Sequence, residues 1–160
     1  MAGAGHQEQT AGDHGAELIT NATGQRMSPA KIEAALKASS PLIGQAVCIG
    51  DGRPYNVALI VLDAHARAAF AAIQRLDDGS AATLAADERV QNSVALGIDL
   101  ANEQLSEVEQ IRRFAILPVE WRPGSDELTP TMKLKRKPIA NKYARKIEWM
   151  YAAVEPETSP

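Results

Sequence analysis

Val57-Ala58-Leu59-Ile60-Val61-Leu62 is a run of six apolar residues with no polar interruption. Successive side chains of a strand point to opposite faces, so a half-exposed strand alternates apolar and polar residues. Unbroken apolarity over strand length therefore demands cover on both faces or a central place in a sheet. Ala46-Val47-Cys48-Ile49-Gly50 has the same character, and Asp51-Gly52-Arg53-Pro54 lies between the two runs. That turn chemistry predicts an antiparallel hairpin, which other elements of the chain must cover.

Several helices are available for that purpose. Ser28-Pro29 reads as an N-cap followed by proline at the first helical position, where its missing N–H costs nothing. Ile32, Ala35 and Leu36 give that helix one packing face, and Ser39-Ser40-Pro41 stops it. Asp63 caps a second helix running to about Arg75, ended by Asp77-Asp78-Gly79-Ser80. From Asp87 onward, Val90, Val94, Ile98, Ala101, Leu105 and Val108 recur at steps of three and four, predicting a long amphipathic helix. Arg113 to Pro118 reads as a third strand. Ile139, Tyr143, Ile147 and Met150 predict one last helix whose other faces carry basic residues.

The fold class expected is α+β: a small three-stranded sheet packed with helices, plus a short N-terminal strand or hairpin near residue 18. A chain of 160 residues is enough for one domain, predicted over residues 17–153. Residues 1–16 hold four of the 11 glycines and no large aliphatic residue beyond Met1, so they read as a disordered tail, as do residues 154–160. No apolar stretch approaches the ~20 residues of a membrane span, and no leader peptide opens the chain. The single cysteine, Cys48, makes no internal disulfide and reads as core filling in a cytoplasmic protein. His6, His14 and His65 lack ligand spacing with one another or with Cys48, so no metal site is expected. Trp121 and Trp149 read as packing residues.

Charge is distributed unevenly. The chain has 17 Lys and Arg against 20 Asp and Glu, yet Lys133, Lys135, Arg136, Lys137, Lys142, Arg145 and Lys146 follow one another with no acidic residue among them. Removing those seven leaves 10 basic and 20 acidic residues, a net of −10 for the rest of the chain. Such a patch either addresses something negative or forms the solvated face of a core-packed helix. Leu128-Thr129-Pro130-Thr131-Met132 precedes it and delivers Lys133 from a proline-stiffened loop, which marks a positioned lysine. A second segment of interest runs from Glu17 through Thr23-Gly24-Gln25-Arg26 to the helix start at Ser28-Pro29. A glycine turn, an arginine and a helix N-terminus together suit an anion.

The two segments resemble motifs of the C-terminal domain of AMP-forming acyl-CoA synthetases. Strand–glycine–Pro29-x-x-Ile32-Glu33 is similar to one signature, and Lys133-x-x-Arg136 to the closing motif. The wording L-T-P-T-M-K-L-K-R, S-P-L-I-G-Q-A-V-C-I-G-D-G-R-P-Y and N-K-Y is similar to the long-chain and very-long-chain fatty acid ligase branch. The likeness runs over roughly residues 17–152. It implies a lid domain that supplies Lys133 as the catalytic residue for joining a fatty acid to the α-phosphate of ATP. It also implies that Thr23, Gly24, Arg26 and Arg136 contact nucleotide or coenzyme A, with the Gly24 loop lining the pantetheine channel. ATP and CoA are the implied cofactors, Mg²⁺ being brought by an N-terminal adenylation domain, which is the implied partner. Asp13-His14-Gly15-Ala16-Glu17 departs from the family: His14 stands where an arginine is expected, and Ala16 where a charged hinge residue is expected. Residues 1–16 read as an unrelated beginning on a truncated lid, expected to be inactive alone. The alternatives are a non-catalytic module binding anions or nucleic acid, and a folded remnant. A net charge of −3 and the lack of a nucleic-acid motif interleaving aromatics with the basic residues weigh against nucleic acid.

Overall fold

A computed structural model describes residues 17–152. The two predicted tails, with His14 and Ala16, lie outside the described residues. The elements in chain order are β1 (Ile19–Thr20), β2 (Arg26–Met27), α1 (Pro29–Ser39), β3 (Ile43–Ile49), β4 (Asn56–Leu62), α2 (Ala64–Ile73), α3 (Ala81–Ala86), α4 (Glu88–Gln104), β5 (Ile111–Ile116), α5 (Arg136–Lys142) and α6 (Ala144–Ala152). β1 and β2 form a small antiparallel hairpin, and the main sheet has the order β3-β4-β5.

The uninterrupted apolar run is the central strand, buried along its whole length. β3 pairs with it antiparallel, with Cys48 opposite Ala58, and β5 pairs with it in parallel, with Phe114 opposite Ala58. Alternation along β4 feeds two separate cores. Ala58, Ile60 and Leu62 pack with Ile32 and Leu36 of α1 and with Val90, Val94 and Ile98 of α4. Val57, Leu59 and Val61 pack with Trp121, Leu128, Ile139, Ile147 and Met150. The sheet is thus sandwiched between a layer built from α1, α3 and α4 and a layer built from α5, α6 and the segment before them. Burial at about 25 cal/mol per Å² of apolar surface drives this arrangement.

Caps fix the helix starts, at Ser28 and Asp63 as predicted and also at Asp87. The Ser28 side chain accepts from Lys31 N–H, Asp63 from Ala66 N–H, and Asp87 from Arg89 and Val90 N–H. Several boundaries differ from the sequence reading, β3 among them, which begins at Ile43 rather than Ala46. α2 ends at Ile73 rather than Arg75, and β5 begins at Ile111 rather than Arg113. α4 ends at Gln104, short of Val108, because Ser106 opens a reciprocal capping box with Glu109 around a 3-10 turn, Glu107–Glu109. Val108 nevertheless packs on the same core. The single final helix is two, broken at Tyr143 (φ −106°, ψ 22°). Glu127 holds both residues at that break, through Lys142 Nζ at 2.6 Å and the Tyr143 hydroxyl at 3.4 Å. α3, capped by Ser80, was not expected, and buries Leu84 and Ala85.

Candidate functional site

Lys133 stands on a hairpin turn. Leu128 and Leu134 form an antiparallel bridge, Thr129 N–H donates to the Lys133 carbonyl at 2.9 Å, and Met132 N–H donates to the Thr129 carbonyl at 2.8 Å. Lys133 N–H donates in turn to Thr129 Oγ1 at 3.0 Å. Pro130 stiffens one side of the turn, and Met132 closes it in the left-handed region with φ 69°. The base of the hairpin is anchored in the core: Leu128 is fully buried, and Lys135 N–H donates to the Glu127 carbonyl at 2.9 Å. The buried Glu127 carboxylate accepts from Lys142, whose ammonium it holds above the ordinary lysine range.

The hairpin separates two lysines that sequence spacing could not. Lys135 Nζ donates to the Ser125 carbonyl at 2.8 Å and ties the loop to itself. Lys133 is exposed, and its ammonium has no hydrogen-bond or ion-pair partner among the described residues. It is a cation carried on a braced turn and left unspent.

Arg136 sits otherwise. Its two terminal nitrogens each donate to Glu33 at 2.6 Å, and Nε lies 3.4 Å from Glu17 Oε1. The hydrogen bonds to Glu33 outweigh the opposing effect of burial and raise the guanidinium pKa. Glu33 is only 5% exposed and also accepts Cys48 N–H at 2.7 Å. Since β3 is an edge strand, that carboxylate covers a backbone donor that no neighbouring strand pairs. One buried cluster therefore joins α1, the β3 edge and the start of α5. Burial, reinforced by Glu33 and opposed by Arg136, pushes the Cys48 thiol up to about 12, leaving it an inert thiol at neutral pH. Glu33 was missed as a brace, although a signal existed: Pro29, Ile32, Glu33 and Leu36 share the buried face of α1. An acidic residue on an apolar stripe requires a partner.

Thr23, Gly24 and Arg26 share the β1–β2 turn. Asn21 organises it, its Oδ1 accepting from Thr23 N–H at 3.0 Å, Thr23 Oγ1 at 2.9 Å and Gln25 N–H at 2.9 Å. Gly24 has φ 89°, and a β-carbon there would meet nothing within 4 Å. Its conformation, not crowding, calls for glycine. Arg26 is exposed with no partner among the described residues. This turn is tied to the β3–β4 turn by Ala22 N–H to the Arg53 carbonyl (2.8 Å) and Gly52 N–H to the Thr20 carbonyl (2.7 Å).

Among the described residues no hydrogen bond or ion pair joins Lys133 to Thr23, Gly24 or Arg26; the Arg136–Glu33–Glu17 cluster links the segments that lead into the two turns. They also root in different layers, Ile19 and Met27 in one core and Leu128 and Leu134 in the other. A groove of about 400 Å³ opens beside Arg136, Cys48 and Lys137, and none of Thr23, Gly24, Arg26 and Lys133 lines it. All four are exposed. Among the described residues, no three His, Cys, Asp or Glu side chains gather as a metal group would require, and no helix is long and apolar enough to cross a membrane. Trp121 packs as expected, 8% exposed, but Trp149 does not: it is 61% exposed on α6.

The "AMP-binding enzyme C-terminal domain" family model matches residues 16–155. The chain is 52% identical over 141 residues to "Putative fatty-acid--CoA ligase fadD11" of Mycobacterium tuberculosis, covering 88% of this chain and 24% of that protein. It is 40% identical over 136 residues to "Long-chain-fatty-acid--CoA ligase FadD15" of the same organism, covering 84% and 22%. The chain thus spans about a quarter of the length of the curated relatives it matches. Among solved structures, the adenylation domain of a carboxylate reductase from Mycobacterium chelonae superposes with a TM-score of 0.65 at 22% identity, over 84% of this chain and 19% of that one. The corresponding domain from Segniliparus rugosus, in complex with AMP and a carboxylic acid, gives 0.64 at 23% identity, over 84% and 20%. Both show the same fold.

Proposed function

This chain belongs to the AMP-binding enzyme C-terminal domain family, and on that premise we propose that it serves as the lid of an ATP-dependent long-chain fatty acid–CoA ligase. The overall reaction turns acid, ATP and CoA into acyl-CoA, AMP and pyrophosphate. The observation that carries the reading is the unpaired ammonium of Lys133 on a turn whose base is bolted into the core. In the first half-reaction, the fatty acid carboxylate attacks the α-phosphate of ATP and pyrophosphate leaves. Negative charge accumulates on the oxygens of the reacting carboxylate and phosphate. A fixed cation brought there from outside, in a site closed to water, lowers that barrier without having to reorganise. Lysine suits the task as a compact charge on a slender stem.

In the second half-reaction the thiol of CoA takes the acyl group from AMP. The Thr23–Gly24 turn would border the pantetheine arm, and Arg26 the adenylate phosphate. The two turns root in opposite layers, which fits a lid that presents them one after the other by rotating as a body. In this reading Arg136 contributes chiefly by fixing the start of α5 behind Lys133, with its contact to nucleotide secondary. The adenylation domain would supply the acyl tunnel, and would hold Mg²⁺ with ATP. A cytoplasmic setting belongs to the same proposal.

The test is reconstitution. Mixed with a matching adenylation domain, the chain should restore fatty-acid-dependent exchange between ATP and pyrophosphate. Lys133→Ala should lower that exchange by about 10²–10³-fold, while leaving the stability of the chain within about 0.5 kcal/mol of the parent, as at an exposed surface site. Exchange that is unchanged in Lys133→Ala refutes the assignment of the lysine. No exchange from a folded mixture refutes the lid reading.

A further inference from the structure

The outward face of α6 does not belong to either turn. Arg145, Lys146 and Trp149 stand on it at helical spacing, with Lys142 and Tyr143 beside them around a shallow depression. Trp149 is the most exposed aromatic assignable to a helix face here, at 61%, and its indole N–H has no partner among the described residues. The ammonium of Lys146 lies 5.3 Å from the centre of its ring. Arg145 and Lys137 are exposed, with no partner among the described residues. Lys142 is answered by Glu127 and lies 3.8 Å from Asp126, so it adds little net charge. The one acidic residue of α6, Glu148, is turned away and paired with Arg53.

The ring of Trp149 is left uncovered, and covering it would add hydrophobic stabilisation. Its amphipathic ring, apolar with one N–H, matches the headgroup level of a bilayer, where one end is dry and the other wet. Lys146 and Arg145 have stems long enough to lie along apolar surface while their charges reach phosphate. Outside the Lys133–Lys146 stretch the chain carries a net negative charge, so attraction to an anionic surface favours the orientation that presents this helix face. We propose that the Arg145–Lys146–Trp149 face of α6 docks reversibly on the headgroups of an anionic phospholipid bilayer. A nucleic acid fits less well: Tyr143 beside the depression is packed on the core and bonded to Trp121 and Glu127, so Trp149 alone offers a free ring to stack on, and a long polyanion would run on into acidic surface. This inference stands independently of the lid assignment, since it rests on a different face and needs no partner domain.

Attraction to anionic lipid is worth about 1 kcal/mol per basic residue near the surface, so Arg145 and Lys146 together should favour anionic over neutral vesicles by about 30-fold. The chain holds two tryptophans, and Trp121 is buried with its N–H donated to the Tyr143 hydroxyl at 3.2 Å. Any shift of indole emission on binding therefore reports on Trp149. The full chain would be titrated with vesicles of equal parts phosphatidylglycerol and phosphatidylcholine, and with phosphatidylcholine alone, at physiological salt. The expected result is a blue shift and co-sedimentation with the anionic vesicles. The shift should be lost in Trp149→Phe, and binding lost in Arg145→Glu/Lys146→Glu with an unchanged circular dichroism spectrum. Equal sedimentation of the parent and the charge-reversed variant overturns the proposal. So does binding to single-stranded RNA with no response to anionic vesicles.

Discussion

The Gly24 turn and the Lys133 turn are built alike at the tip and differently at the root. Each carries one left-handed residue, Gly24 at φ 89° and Met132 at φ 69°, and each presents an unpaired cation nearby. The Gly24 turn has one buried anchor in Met27, and its other attachments are backbone hydrogen bonds to an exposed neighbour, the turn around Gly52 and Arg53. The Lys133 turn is held by buried side chains, Leu128 and Glu127. Backbone hydrogen bonds at a wet surface contribute about 1 kcal/mol each and open locally. A root in the core opens only with the core. The difference assigns adaptability to one turn and fixed placement to the other, as a channel wall and a charge-delivering lysine respectively would need.

Four substitutions test that contrast. The largest effect is expected at the brace the two turns share. Arg136→Ala strands the Glu33 carboxylate in the interior, and breaking a buried pair in this way costs about 3–5 kcal/mol. The lower end applies, since the guanidinium keeps 23% side-chain exposure. Urea unfolding measures it, and a loss under about 1 kcal/mol would mean that the brace is ornamental. Next comes Asn21→Ala, which deprives three donors of one acceptor and should cost about 1–2 kcal/mol. Hydrogen exchange should quicken at Thr23 and Gln25 but not at Lys133. The smallest effect is a pair of opposite sign. Gly24→Ala should destabilise by about 1 kcal/mol, because a β-carbon is unwelcome at positive φ. Met132→Gly relieves that same conflict and should stabilise by up to about 1 kcal/mol, less what glycine loses in chain entropy. If both substitutions shift the unfolding midpoint the same way, the turns are not built on one plan.

Much of this was readable from residue order, and the exceptions share a cause. The central strand, its antiparallel neighbour, the N-caps and the long α4 stripe follow from local periodicity and local chemistry, which a linear text preserves. The exposed turn carrying Lys133 was likewise legible, since Pro130 cannot sit inside a helix. What escaped were partnerships across the chain. Arg136 and Glu33 are 103 positions apart, so a motif reading gave Arg136 to a ligand with no sight of the carboxylate that holds it. Trp149 was read as packing, yet the stripe of Ile139, Tyr143, Ile147 and Met150 excludes it. The break at Tyr143 depends on Glu127, a residue with no periodic neighbour to announce it. Ser106-x-x-Glu109, in contrast, was a local capping signature that could have placed the end of α4.

The parallel pairing of β4 with β5 has a consequence for how the chain is made. β3 and β4 are joined by a short turn and can zip together as soon as both emerge from the ribosome. β5 comes some fifty residues later in synthesis, after three helices, and closing so long a loop is slow relative to local steps. Until residues 111–116 are released, the most apolar strand of the domain offers a naked edge to any other nascent chain. The order in which the polypeptide appears thus leaves its stickiest segment unguarded for the longest interval, a period in which a chaperone has the most to protect.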